Sequence, residues 1–284
     1  MNIASDIGTL TQHMTRLRER AERIAFVPTM GNLHDGHLAL VDQATRNADA
    51  VVVSIFVNPT QFAAHEDLDT YPRTLDADLN ALRDADVDLA FTPSEKDVYP
   101  HGGSTHTTIH VPKLGDGLCG RVRPGHFDGV CTVVYKLFRM VRPDLAVFGE
   151  KDLQQLLIIK KMVEDLQLPI EIQSGATQRA HDGLALSSRN QYLSQAERAL
   201  APMLWQTLQE CASSIDGQSS GGVQPALEAA RRVLEGAGFE LDYLELRTLS
   251  TLSLTDSVNE DCALFAAAKL GQTRLIDNIQ IRQT

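Results

Sequence analysis

One stretch constrains this chain more than any other: Phe26-Val-Pro-Thr-Met-Gly-Asn-Leu-His-Asp-Gly-His-Leu38. The apolar run 24–27 predicts a buried strand, and Pro28 and Gly31 punctuate its end. From Leu38 onward the spacing is helical, with Leu38 and Val41 on one side. His34 and His37 therefore stand where a strand stops and a helix begins. The first N–H groups of a helix lack intrahelical partners and carry its positive end, which suits an anion. Imidazoles three positions apart on a helical turn face the same way, and Gly36 between them lets a large ligand approach the backbone. A nucleoside triphosphate fits this arrangement. Two other readings stand beside it. An H-x-x-H pair can hold a metal, although no third and fourth ligand follows at a recognisable spacing, and a His-Gly pair can be ordinary turn chemistry.

At 284 residues the chain can bury a substantial core and predicts two domains. Its net charge of −11 argues against a general nucleic-acid binder, which needs a basic face. A small anionic substrate stays open, because a local cluster of Lys, Arg and His suffices. Cys119, Cys131, Cys211 and Cys262 are scattered without C-x-x-C pairing, which reads as reduced thiols in packing roles. The first residues show no signal-peptide pattern. The longest apolar run, 50–57, is too short to span a bilayer. The expectation is a cytoplasmic protein.

Along the chain, 6–21 predicts an amphipathic helix with Leu10, Met14 and Leu17 inward. The β-branched run 50–57 predicts a strand buried on both faces, as in a parallel sheet. Helix 74–85, strand 89–92, a short strand at 105–111, helix 129–141, strand 144–148, helix 153–166 and strand 170–173 follow. Such alternation predicts an α/β fold: a Rossmann-like parallel-sheet nucleotide-binding domain with right-handed crossovers. Past residue 176 the character changes. A turn-rich polar segment 179–190, helix 196–214, a Gly/Ser loop 217–222, helix 223–236 and strands at 242–247, 263–267 and 274–277 predict a smaller α+β domain. The expected domains are 1–175 and 176–284. Ligands of open α/β sheets bind outside the carboxyl ends of the strands, and His34, His37, residues 58–61 and residues 149–152 all fall at such ends.

Gly115-Asp-Gly-Leu-Cys-Gly120 matches the dinucleotide fingerprint G-x-G-x-x-G, but that fingerprint must open a helix after a strand. Pro124-Gly125 follows almost at once, so a flexible loop is the simpler reading. Arg121, Arg123 and His126 in the same stretch suggest either a mobile cationic flap over an anionic ligand or a solvated charged loop. No G-x-x-x-x-G-K-[ST] occurs, so phosphates must be held otherwise. The candidates are His34 and His37, Lys151, and the turn Ser187-Ser188-Arg189, where two hydroxyls and a planar guanidinium suit phosphate oxygens.

Taken together, Val27-Pro-Thr-Met-Gly-Asn-Leu-His-Asp-Gly-His37, Phe56-Val-Asn-Pro-Thr-Gln-Phe62, Tyr71-Pro-Arg73, Arg123-Pro-Gly-His-Phe127, Phe148-Gly-Glu-Lys-Asp152 with Gln154-Gln155, Asp182-Gly-Leu-Ala-Leu-Ser-Ser-Arg-Asn190 and Arg274-Leu-Ile-Asp-Asn278 resemble the pantothenate synthetase family, within the nucleotidyltransferases that carry H-x-G-H. The resemblance implies condensation of (R)-pantoate with β-alanine, using ATP and Mg²⁺ and releasing AMP and pyrophosphate through a pantoyl-adenylate. It also implies a two-domain homodimer whose smaller domain acts as a lid, with metal ligands left unassigned. By the same resemblance Met30, Gly31, His34, Gly36 and His37 wrap ATP, with His37 a proton donor near the transferring phosphate. Gly149, Lys151 and Asp152 contact the nucleotide, and Leu186, Ser187, Ser188 and Arg189 close on its phosphates. A backbone contact to adenine is implied near Gln178. Gln61 and Gln155 hold pantoate, with Gln61 also near β-alanine. Thr60 and Leu186 stand where the family often carries Met. The physics agrees with these roles. Neutral amides both donate and accept, which suits the pantoate hydroxyls. Lys151 and the histidines offset charge developing at the α-phosphorus. Phe56, Phe62 and Phe148 are placed to cover the gem-dimethyl group or to pack in the core. The rival readings are a nucleotidyltransferase without a second acceptor, a dinucleotide-dependent oxidoreductase built on 115–120, and a nucleotide-binding regulator.

Overall fold

The computed structural model describes residues 1–63, 66–103, 105–216 and 222–282. The Gly/Ser loop expected at 217–222 therefore lies, except for Gly222, outside the described residues. The chain forms two compact units. The first comprises Met1–Gly115, Arg123–Glu150 and Gln154–Ala176; the second comprises Asp116–Val122, Lys151–Leu153 and Thr177–Thr284.

In the first unit β1 (Asn2–Ala4), β2 (Ile24–Thr29), β3 (Ala50–Ile55), β4 (Leu89–Phe91), β5 (Leu145–Gly149) and β6 (Glu171–Gly175) form one six-stranded sheet in the order β1-β4-β3-β2-β5-β6. Every pairing is parallel. The sheet bears out the α/β expectation. Its reason is visible in β2 and β3, whose residues are almost all buried on both faces, leaving no polar side to meet water. Helices α1 (Ile7–Arg20), α2 (Asp35–Asn47), α3 (Leu75–Asp84) and the four-residue α4 (Glu95–Val98) come first in the chain. On one side of the sheet Ala25, Val27, Val51, Val53 and Val147 pack with Val41 and Ala44 of α2 and Leu79 and Leu82 of α3. On the other, Phe26 meets Phe138 edge-on at 6.3 Å, and Phe138 meets Phe148 at the same distance. Phe138 belongs to α6 (His126–Val141), which follows the short α5 (Cys119–Val122). Phe148 and Phe56 are thus core residues, while Phe62 is half-buried against Tyr71.

Two expectations are corrected and one strand is added. Residues 105–111 do not form a strand. Side chains take the place of a ladder there, with Ile109 N donating to Thr132 Oγ1 and His110 pairing with Asp128. The edge strand β1 was not foreseen, since three residues carry too little periodicity. The helix expected over 196–214 is two, α8 (Gln195–Leu200) and α9 (Met203–Asp216), broken at Ala201-Pro202 because proline removes a donor and crowds the preceding turn. The helix α7 (Leu153–Asp165) leads from the second unit into the first.

The second unit carries an antiparallel sheet, β7 (Phe239–Thr248), β8 (Cys262–Leu270) and β9 (Thr273–Ile281), in that order. Leu208 of α9, Leu227 and Leu234 of α10 (Val223–Gly236), and Leu244, Leu246, Leu264 and Ala266 of the sheet share its core. No helix among the described residues is long and apolar enough to cross a membrane.

Leu82 is fully buried in the first unit's core. Leu82→Ala should cost about 2–5 kcal/mol, the range for a truncation whose cavity cannot collapse. Urea unfolding followed by far-UV circular dichroism measures it, and a loss within about ±0.5 kcal/mol, the range of a surface substitution, would show that Leu82 is not part of this core.

Candidate active site

In the order β4-β3-β2-β5-β6 the chain runs outward from β2 in one direction and resumes at β5 on the other side. The crevice at the carboxyl ends of β2 and β5 is therefore the topological switch point, where ligands of such sheets bind. The β2 strand ends in a turn that Gly31 (φ +81°) and Asn32 (φ +50°) make in the left-handed region. A Cβ at Gly31 would lie 2.9 Å from Asp78 Oδ2 and 3.0 Å from Ile55, so glycine is required there both for conformation and for space. Asp78, buried on α3, accepts from Asn32 N (2.9 Å), Leu33 N (2.8 Å) and Thr74 Oγ1 (3.2 Å). One carboxylate thus fixes the turn that delivers His34.

His34 is the N-cap of α2 and its Nδ1 accepts from Gly36 N (3.1 Å). His37 Nδ1 in turn accepts from His34 N (3.4 Å). The two rings lie 4.1 Å apart, tilted 38°. The helix start thus spends two of its own N–H groups, those of His34 and Gly36, on the histidines themselves in a reciprocal capping box. A ring whose Nδ1 accepts carries its proton on Nε2 when neutral. In its neutral form each ring therefore carries its proton on Nε2 at the end of the helix.

Beside this, the 3₁₀ turn Pro59–Gln61 follows β3. Asn58 is buried and uses its whole amide. Nδ2 donates to Gln61 Oε1 (3.0 Å) and Gly129 O (3.2 Å), while Oδ1 accepts from Tyr99 OH (2.8 Å) and Thr60 Oγ1 (3.0 Å). Gln61 Nε2 rests against Met30 Sδ at 3.3 Å, which brings two expected site residues together. Burial pushes the Tyr99 phenol above its usual value, so the hydroxyl keeps its proton and can donate. Helix α6 approaches the turn so closely that a Cβ at Gly129 would lie 2.4 Å from Thr60 O.

The cationic flap is corrected. Arg123 is largely buried, donating from Nε to Glu66 Oε1 (2.5 Å) and from Nη2 to Oε2 (2.7 Å). Its Nη1 lies 3.1 Å from His126 Nε2, and His126 Nδ1 lies 2.8 Å from Gln61 O. Pro124-Gly125 does not merely stop a helix; Gly125, at φ +81°, starts α6. Arg121, in the second unit, pairs with Glu245 (2.7 Å). Among the described residues no strand leads directly into 115–120, so the dinucleotide fingerprint lacks its setting.

Gly149 ends β5, and Gln155 is half-buried in the first turn of α7. Gln154, its neighbour, is buried and donates to Leu114 O (2.9 Å), a structural role. Lys151 and Asp152 belong to the second unit. There the Lys151 carbonyl accepts from Asn278 Nδ2 (3.0 Å), and Lys151 lines a small pocket with Ser187, Asn190, Trp205 and Asp277. Ser187 caps a 3₁₀ turn Ser188–Tyr192, its Oγ accepting from Arg189 N (3.3 Å). Leu186 N donates to Gln178 O (2.9 Å), which commits the Gln178 carbonyl to the chain itself. Arg179 holds this loop: it is bidentate to buried Asp277 (2.6 and 2.9 Å), donates to Gly183 O and lies 3.4 Å over the Trp205 ring. Asp78, Tyr99, Gly129, Glu66 and Arg179 were missed by sequence reasoning, and Asn58, placed at a strand end, was given no role of its own. Their signal is tertiary, since each acts on a group distant in the chain or on a turn it does not itself form.

A family profile described as pantoate-beta-alanine ligase matches residues 2–280. The chain belongs to the pantoate–β-alanine ligase family. It is 52% identical over 287 residues to a pantothenate synthetase of Pseudomonas savastanoi pv. phaseolicola, covering 100% of both chains. To that of Chromohalobacter salexigens it is 54% identical, covering 98% of this chain and 97% of the other. A crystal structure of pantothenate synthetase from Thermus thermophilus superposes with a TM-score of 0.91 at 43% identity, covering 98% of this chain and 99% of that one. A pantoate-beta-alanine ligase from Francisella tularensis, crystallised with beta-gamma ATP and beta-alanine, gives a TM-score of 0.82 at 36% identity, covering 98% and 97%. For a pantoate–β-alanine ligase fold, the switch-point turn and the Gln61 turn described above are the parts built with buried polar support.

Glu66 tests that support. Burial opposes ionisation of its carboxyl, but hydrogen bonds and charge from Arg123, with the Ala63 N–H, hold it below the ordinary value of 4.5. A depressed folded value means the pair's contribution is complete above the unfolded value and is lost as pH falls through the folded one. Glu66→Gln should therefore lower Tm at pH 7, with the gap to the parent shrinking below about pH 4.5. Thermal scans from neutral to acid pH check this, and a gap constant across that range would refute the ion-pair account.

Proposed function

We infer that this chain is an ATP-dependent pantoate–β-alanine ligase, condensing (R)-pantoate with β-alanine through a pantoyl-adenylate and releasing AMP and pyrophosphate. The observation that carries the reading is the pair of imidazoles at the switch point, with both Nδ1 atoms turned to the backbone and the proton of each neutral ring therefore on Nε2. The family supports the substrates, and the Francisella relative was crystallised with beta-gamma ATP and beta-alanine. In this reading a pantoate carboxylate oxygen attacks the α-phosphorus, the α–β bridging bond breaks and pyrophosphate leaves. The β-alanine amine then attacks the acyl carbon, and AMP departs with that oxygen. His37 and His34 donate to phosphate oxygens as charge develops. Met30, Gly31 and Gly36 shape the turn around the nucleotide. Gly149, Lys151, Asp152 and the backbone near Gln178 contact it, and Leu186, Ser187, Ser188 and Arg189 close on its phosphates. Gln61 and Gln155 hold pantoate. The domains are 1–175, which binds ATP and pantoate, and 176–284, which acts as a lid excluding water from a hydrolysable acyl-adenylate.

Mg²⁺ belongs to the nucleotide in this scheme. Among the described residues no group of three His, Cys, Asp or Glu side chains could hold a metal ion. Mg²⁺ commonly keeps its waters and is held through substrate phosphates with one or two carboxylates. The active form is assigned as a cytoplasmic homodimer.

His37→Ala should reduce adenylation by about 10²–10⁴-fold, the range for a positioned proton-donating group. Pre-steady-state pyrophosphate release measures it, and near-parental rates in a folded variant would remove His37 from the chemistry. Pantoate labelled with ¹⁸O in its carboxylate should place one label in AMP, read by mass spectrometry. Label in inorganic phosphate with ADP as product would replace the adenylate by an acyl phosphate. An adenylated acid accumulating unchanged in the presence of β-alanine would mark a nucleotidyltransferase without a second acceptor.

A further inference from the structure

Gln61 can meet a ligand with either end of its amide, and the two ends recognise opposite partners. The surroundings decide which end is offered. The Gly129 carbonyl only accepts, so the Asn58 nitrogen faces it at 3.2 Å, and the same Nδ2 donates to Gln61 Oε1 at 3.0 Å. The oxygen end of Gln61 is thereby occupied. Its Nε2 is left on Met30 Sδ, a weak acceptor that an oxygen ligand displaces. At the other end of the relay, Asn58 Oδ1 is held by two hydroxyls, Tyr99 OH at 2.8 Å and Thr60 Oγ1 at 3.0 Å, which also lie 3.0 Å from each other. Asn58 is 1% and Tyr99 2% exposed, so Tyr99 acts only through its neighbours.

We propose that Tyr99, seconded by Thr60, is a positioning residue that fixes the Gln61 amide with its NH₂ toward substrate, selecting an acceptor oxygen of the hydroxy acid at that point. The proposal rests on the assignment of Gln61 to pantoate. With one hydroxyl removed, Asn58 Oδ1 keeps the other. With both removed, the buried Asn58 Oδ1 is left unpaired, and the Asn58 side chain shifts toward other donors, loosening the Nδ2 bond that holds Gln61 Oε1 inward. The two hydroxyls are therefore redundant, and their loss is non-additive.

Steady-state kinetics on the intact protein test this with Tyr99→Phe, Thr60→Val, the double variant and Gln61→Ala. Each single change should raise KM for pantoate by no more than about 3-fold and the double by about 10–100-fold, with KM for ATP within about 2-fold of the parent. In the Gln61→Ala background the double change should add nothing to KM for pantoate. Replacing Thr60 by Ser in the Tyr99→Phe background, which keeps a hydroxyl, should stay at the single-variant level. A double variant with parental KM for pantoate, equal rises for pantoate and ATP, or an effect that persists without Gln61 would overturn the positioning role. If the double variant does not fold, Tyr99→Phe combined with Thr60→Ala takes its place, and a KM for pantoate at the parental value there overturns the proposal. If Gln61→Ala itself leaves KM for pantoate at the parental value, the assignment of Gln61 fails, an outcome distinct from failure of the relay.

Discussion

Two imidazole rings turned back onto their own helix are the constraint on which the first unit's site depends. By taking the N–H groups of Gly36 and His34, the rings of His34 and His37 stabilise the start of α2 as caps do. The same two bonds fix where each ring's N–H lies, since a neutral imidazole that accepts at Nδ1 donates from Nε2. Capping and ring orientation are one arrangement here. The spacing of three is required by the capping box, and Gly36 supplies the N–H that the first ring takes. The site is consequently as rigid as the helix end, which is the condition for donors to act without reorganising when charge develops.

That helix end needs a fixed place, and buried polar groups provide it. Asp78 holds Asn32 and Leu33 through both carboxylate oxygens, so the left-handed turn cannot relax without leaving a buried acceptor unpaired. Across the strand ends, the Asn58 amide makes four hydrogen bonds, and Glu66 with Arg123 and His126 holds the carbonyl and the loop of Gln61. A network satisfied to this degree specifies a single geometry. The parallel sheet supplies the remaining order, since its ladders hold β2 against β3 and β3 against β4 in a fixed register.

The strands and helices of the first unit were legible because each carries enough residues to show its period, and the strand–helix junction of residues 28–37 was legible because a turn, a glycine and two histidines coincide there. The supporting residues were not. Asp78 reads as one more surface acid on an amphipathic helix, and only the tertiary approach of α3 to the β2 turn makes it an acceptor for two N–H groups. Gly129 reads as a poor helix former within α6, yet its missing Cβ is what lets that helix touch Thr60 O. Arg123 and His126 read as cations available to a ligand, whereas Glu66, far away in the chain, neutralises the first and the Gln61 carbonyl occupies the second. Sequence periodicity reports which face is buried; it does not report which polar groups meet on that face.

The donors of the first unit share a further property. The capping of His34 and His37 puts the proton on Nε2 whenever the rings are neutral, Gln61 offers a neutral amide, and the guanidinium of Arg123 is cancelled by Glu66. Lys151 and Arg189, the candidate cations, both belong to the second unit, where Asn278 grips the Lys151 backbone and Arg179 with Asp277 braces the loop leading to Arg189. Neutral donors can be buried at the cost of a hydrogen bond each, whereas an unpaired buried cation carries a far larger desolvation cost. A site preorganised in the absence of its nucleotide can therefore be built from imidazole and amide groups on the sheet. Lys151 and Arg189 are by contrast half-buried, so solvent shares in screening their charge.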